Sequence, residues 1–175
     1  MTRPTDVMIA TSIAIFGFML VEARRAARNE RAQRARGGVE PPGDVYRIMR
    51  VAYPAAFLGM ILEGASLGTP AASLAAAGGA LFAGAKALKW WAILALGPCW
   101  TFRLIVVPGM APVRAGPYRW LRHPNYLAVV AELLAVALMT GARVAGPIAT
   151  AIFWLLILKR IAVENRALGA ILRPN

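Results

Sequence analysis

The stretch Arg114–Tyr126 reads RAGPYRWLRHPNY and holds the only histidine, His123. Long apolar runs flank it. It is too basic and too proline-rich to lie in lipid, and too aromatic for a plain solvated linker. Irregular backbone at membrane depth is tolerated where it lines a cavity or packs on protein. The stretch therefore reads as the wall of a pocket at the water–lipid boundary, with membrane-spanning helices on either side.

Composition agrees. Of 175 residues, 59% are hydrophobic and 16% charged, and the mean hydropathy is +0.58. A soluble domain carries about a quarter charged residues. The length suits one domain, so residues 1–175 read as a single all-α integral membrane bundle. The net charge of +12 by itself would suit nucleic acid. Here the basic clusters flank apolar runs of near-spanning length, which fits anionic headgroups instead. One cysteine, Cys99, excludes an intrachain disulfide. One histidine and one cysteine also argue against zinc.

Working outward, the apolar runs place spanning helices at about 7–21, 45–67, 71–89, 127–139 and 146–158. The first is not a cleaved signal, because its basic residues follow the apolar run instead of preceding it. It extends as the helix-favouring EARRAARNERAQRAR to Arg36, whose arginines suit phospholipid headgroups. The third contains AASLAAAGGALFAGAKAL, small residues that let helices approach closely in a bilayer. Trp90, Trp91 and Trp100 read as interfacial anchors. Residues 96–126 and the polar tail 159–172 remain for a cofactor segment. All but two of the 20 Lys and Arg residues fall in the first connection, the third connection (counting Lys86 and Lys89) and the tail. The positive-inside rule then puts the N-terminus outside and both polar segments on the cytoplasmic face.

Three groups could carry chemistry. Pro124 excludes His123 from helical geometry and suits a helix start, so His123 would stand just before the fourth helix, near N–H groups that favour an anion. An interfacial histidine bonded only to a carbonyl is the plain alternative. Arg160 and Glu164 share one helix face, either as a solvated ion pair or as ligand-binding groups. Glu63 and Glu132 lie inside apolar helices, where a charge needs a partner or a cavity; for Glu132 a structural pair with an arginine such as Arg50 is one possibility.

The motifs LGPCWTFRLIVVPG, GPYRWLRHPNYLAVVAE and KRIAVENRAL, spread over Leu96–Leu168, resemble the isoprenylcysteine carboxyl methyltransferase family. They look closest to a bacterial branch acting on alkylpyrone and alkylresorcinol hydroxyls, which has a similar VEARRAARNERAQRARGGVE stretch. The resemblance implies an S-adenosylmethionine-dependent membrane O-methyltransferase with a lipophilic acceptor and no nucleic-acid partner. The acceptor would be either such a hydroxyl or an isoprenylcysteine-type carboxylate. It further implies that Arg103, Met110, Ala111, Pro112, Val113, Tyr118, His123, Pro124, Asn125, Tyr126 and Glu164 bind the cofactor, and that Arg160 faces the acceptor as the catalytic residue. Two positions depart from the family pattern. Asn165 stands where a second acid is common, which weakens any mechanism needing two carboxylates, and Ala128 stands where glycine is common. A phospholipid N-methyltransferase and a non-catalytic multi-pass protein are the competing readings. The second covers a small transporter subunit or a membrane scaffold; a transporter should show paired half-repeats with broken helices, and the sequence shows no such repeat.

Overall fold

The computed structural model describes residues 4–68, 70–110 and 113–171. Among these residues there are five long helices: α1 Pro4–Ala35, α2 Tyr46–Leu67, α3 Ala72–Leu96, α4 Pro124–Thr140 and α5 Ala145–Ile171. Two short 3-10 turns, Gly97–Cys99 and Gly116–Arg119, interrupt the long connection between α3 and α4. The all-helical membrane bundle expected from the apolar runs is what forms. By length and composition, segments 46–67, 72–99 and 145–167 suffice to cross a membrane, while α4 is apolar but shorter.

α4 is the hub. Its Ala128, Leu133, Ala135 and Val136 are fully buried, and it packs against α2, α3 and α5. Small residues set these distances. A Cβ on Gly78 of α3 would lie 2.8 Å from the Ala135 carbonyl oxygen and the Met139 backbone of α4. Thus the Ala/Gly run of α3 does bring two backbones together, as small residues do in a bilayer. The apolar core joins Ile15, Phe57, Met60, Leu133, Val136 and Phe153.

α3 outruns the expected span 71–89 and ends at Leu96, where Gly97-Pro98 breaks its helical period. α4 starts at Pro124, directly after His123 as the proline predicts, since proline is accepted at the first helical position. Three other sequence expectations need correction.

Lys86 and Lys89 are not connection cations: both are buried within α3. Glu132 is not paired with Arg50. Instead Lys86 lies 2.9 Å from Glu22 and 3.1 Å from Glu132. Lys89 lies 2.7 Å from Glu22 and 3.3 Å from Glu132. Tyr53 completes the group, donating to Glu132 at 2.5 Å. Two acids and two ammonium groups cancel, which is how ionised side chains are accommodated in a bundle interior. With Tyr53, this quartet of charges ties α1, α2, α3 and α4 together. Glu63 serves a different end of the bundle: its carboxylate accepts from the N–H groups of Arg143, Val144 and Ala145 at 2.6–2.9 Å. It therefore satisfies the free donors at the start of α5. Among the tryptophans, Trp91 is exposed as an anchor should be, but Trp100 is buried, stacked edge-on with Phe102.

Candidate active site

The second half of α1 is a scaffold for the irregular connection. Residues 22, 26, 29 and 33 fall on one helix face, and all four are buried. Asn29 Nδ2 donates to the carbonyls of Gly97 and Trp100 at 3.0 and 2.8 Å. Gln33 Nε2 donates to the carbonyl of Pro98 at 2.9 Å. Val39 and Val106 exchange two backbone hydrogen bonds of 2.9 Å. Glu30 and Glu40 grip Arg103 at 3.1 and 2.9 Å, and the Arg103 guanidinium lies over the Tyr46 ring. Carbonyls in an irregular segment need such partners, and here one helix supplies most of them.

The result is a cavity of about 1190 Å³ between α1, α2, α5, the connection and the start of α4. At one end its wall is polar: Arg103, Tyr118, His123, Asn125, Arg160 and Glu164. At the other it reaches Phe16 and Leu20 on the first half of α1, Pro54 on α2 and Phe153 on α5. Of the residues singled out from sequence, Met110, Val113 and Tyr126 also line it. Pro124 is fully buried behind the wall. Ala111 and Pro112 lie outside the described residues. Asn165 lines the cavity as well, so the acid often found at that position is replaced by an amide on the same wall.

The polar end has a definite hydrogen-bond order. His123 stands just before α4, with φ −134° and ψ 58°, outside the helical region that the following proline disfavours. Its ring stacks on Tyr126 at 5.4 Å, and its Nδ1 lies 3.8 Å from Glu164 Oε2. The Tyr126 hydroxyl accepts from Arg160 Nε at 3.0 Å and donates to Glu164 Oε2 at 3.0 Å. Arg160 and Glu164 therefore communicate through a tyrosine and do not form the simple i,i+4 ion pair their spacing allows. The remaining nitrogens of Arg160 reach the Phe102 carbonyl and Asp44, 3.5 Å away. Asp44 in turn accepts from the backbone N–H groups of Leu104 and Tyr46 at 3.0 and 3.1 Å. Burial and the nearby Glu164 charge push the Tyr118 phenol well above the usual tyrosine range, so it stays protonated and can donate a hydrogen bond.

Sequence reasoning missed Asp44, Asn29, Gln33 and the inward role of Glu22. The last three had a signal: within an alanine- and arginine-rich helix, its uncharged amides and Glu22 share one face. Asp44 had none, because its partners come from distant segments.

Residues 78–170 match the isoprenylcysteine carboxyl methyltransferase (ICMT) family. The chain belongs to this family. The matched residues contain α4, nearly all of α5 and the whole polar wall contributed by 103–126, so the family signature and the cavity coincide. Family members are membrane methyltransferases that use S-adenosylmethionine. Among curated proteins, the chain is 29% identical over 143 residues to the uncharacterized protein YpbQ of Bacillus subtilis, covering 82% of this chain and 85% of that one. It is 25% identical over 143 residues to an uncharacterized protein of Haemophilus influenzae, covering 81% and 83%. No solved structure matches.

Proposed function

We propose that this ICMT-family protein is an S-adenosylmethionine-dependent O-methyltransferase whose acceptor is a lipid with a polar head. The carrying observation is the single cavity whose polar wall of His123, Tyr126, Arg160 and Glu164 continues into apolar surface at Phe16, Pro54 and Phe153. A donor site and a lipid site open into one another. The arginine-rich connections on this face support a cytoplasmic site, open to a soluble donor.

The residues fit the donor. Asn125 Oδ1 is buried without a hydrogen-bond partner in the protein, on the cavity wall. A buried acceptor of this kind needs a donor to satisfy it, and an adenine amino group or ribose hydroxyl supplies one. Glu164 offers a carboxylate that is only one-quarter exposed, suited to an ammonium group. The volume exceeds what a single small ligand occupies, since pockets for one such ligand run about 300–1,000 Å³. There is room for donor and acceptor head together.

When bound, S-adenosylmethionine supplies an electrophilic methyl on a positively charged sulfur. The chain's contribution is placement and electrostatics. Glu164, His123 and Asn125 hold the donor. Tyr126, fixed between Arg160 and Glu164, keeps the two sides in register. The Arg160 guanidinium faces the cavity and stabilises negative charge on the acceptor oxygen. Alignment of reacting atoms contributes about 7–11 kcal/mol to such displacements. An acceptor that ionises readily, a carboxylic acid or an acidic phenol or enol, arrives without its proton and needs no base. An alkylpyrone enol fits this description, as does a prenylcysteine carboxylate; an alkylresorcinol phenol, with a pKa of about 10, instead gains from the Arg160 cation, which stabilises its oxyanion as the proton leaves to water. The long basic extension of α1 favours the hydroxyl lipids.

The test is methyl transfer from isotopically labelled S-adenosylmethionine into a total lipid extract, with mass spectrometry of the labelled product. A labelled methyl ether or ester on a lipid is expected. Label on a phospholipid amine contradicts the O-methyl assignment.

A further inference from the structure

The connection that carries Tyr118 and His123 has a second face. Tyr118 and His123 line the cavity, while Trp120 is 70% and Leu121 40% exposed. Arg119 is exposed beside them, and so are Arg114 and Arg122, which also border the cavity. Among the described residues no carboxylate pairs with any of these three arginines; Arg119 only lies 5.5 Å from the Trp120 ring.

The depth of this face can be read from α3. The Trp120 ring sits 5.9 Å from that of Trp91, which is 48% exposed on a helix long and apolar enough to span a membrane. Trp91 is five residues before the end of α3, hence about 7.5 Å inside it. The 3-10 turn is pressed onto the same helix: a Cβ on Gly116 would lie 2.7 Å from that of Ala95 and 3.2 Å from Trp91 Nε1, and its φ of +57° suits glycine. The connection therefore folds back along the outer side of α3 and places Trp120 level with an outward-facing tryptophan of a spanning helix.

We infer that Arg114–Arg122 is an interfacial hook that docks on an anionic phospholipid leaflet. Trp120 and Leu121 enter the headgroup–acyl boundary, where tryptophan is favoured, and the three arginines meet lipid phosphates. Nucleic acid would satisfy the charges but not the apolar pair beside Trp91. Because the inner face of the same nine residues carries Tyr118, lipid contact also steadies the cavity wall. This second consequence rests on the cofactor reading given above.

The test uses the full chain in nanodiscs, with Cys99→Ala and Leu121→Cys and an environment-sensitive fluorophore at position 121. Phosphatidylcholine discs are compared with discs containing added phosphatidylglycerol. Bromine on upper acyl carbons is expected to quench the probe and aqueous iodide to leave it bright. Phosphatidylglycerol should strengthen the lipid quenching, and Arg119→Gln with Arg122→Gln should cancel that gain. Each arginine near an anionic surface contributes a factor of roughly five, so the affinity of the unlabelled protein for S-adenosylhomocysteine should rise several-fold with phosphatidylglycerol. Iodide quenching that ignores lipid charge overturns the hook. Lipid-dependent fluorescence with unchanged S-adenosylhomocysteine affinity overturns its link to the site. Failure to bind S-adenosylhomocysteine in any disc overturns the cofactor reading instead, and the fluorescence still decides the hook.

Discussion

The His123 imidazole lies 3.8 Å from the Glu164 carboxylate, although the whole of α4 and most of α5 separate them in sequence. α4 and α5 are antiparallel neighbours joined by a short turn at 141–144. The start of the first thus meets the far end of the second, and the last polar turns of α5 close over the residues that precede α4. The site's geometry follows from that pairing.

Arg160 has two duties that a conservative change should separate. Arg160→Lys keeps a cation for Asp44 but loses the Nε–H donated to Tyr126 and the fork that reaches Phe102, since lysine offers a single point charge. Turnover should fall about 10²-fold, the scale of losing one oriented donor at a developing oxyanion. S-adenosylhomocysteine affinity should change far less. Steady-state kinetics beside calorimetry checks this; equal losses in both contradict the acceptor-side role.

The buried quartet makes a stability prediction. Glu132→Gln removes one charge from a balanced set and leaves an ammonium without its counterion. Breaking a buried pair costs about 3–5 kcal/mol, so the midpoint of thermal unfolding in detergent should drop by many degrees. Adding Lys86→Met restores the balance and should recover a good part of the loss. A double variant no better than Glu132→Gln alone would show that the charges are not coupled.

Two adjacent glycines give a packing control. Gly78 faces the Ala135 carbonyl and Met139, whereas Gly79 has nothing within 4 Å of a built Cβ. Gly78→Val should destabilise by about 1–3 kcal/mol through overpacking. Gly79→Val should be near neutral. Chemical-denaturant or thermal melts of both in one detergent provide the comparison.

Much of this was legible before the structure, for identifiable reasons. Apolar runs and Gly-Pro breaks mark helices through local periodicity, so the five helices were readable. Pro124 fixes the backbone of its neighbour, so the place of His123 was readable too. Charge partners were not. Lys86 and Lys89 look like the boundary of a connection because lysine is usually found there; only the positions of Glu22 and Glu132 on neighbouring helices show that α3 continues through them. Asp44 and Tyr126 likewise acquire their roles from segments far away in the chain. Spacing within one helix allows Arg160 and Glu164 to pair directly; a second helix, α4, inserts Tyr126 between them.

The most direct measurement is isothermal titration of S-adenosylhomocysteine into purified protein, together with the Glu164→Ala and His123→Ala variants, each first shown to be inserted and folded. The wild-type chain should bind, and both variants should lose measurable binding while keeping their helical content. Unchanged affinity in both variants would mean that the polar wall of this cavity is not where the donor sits.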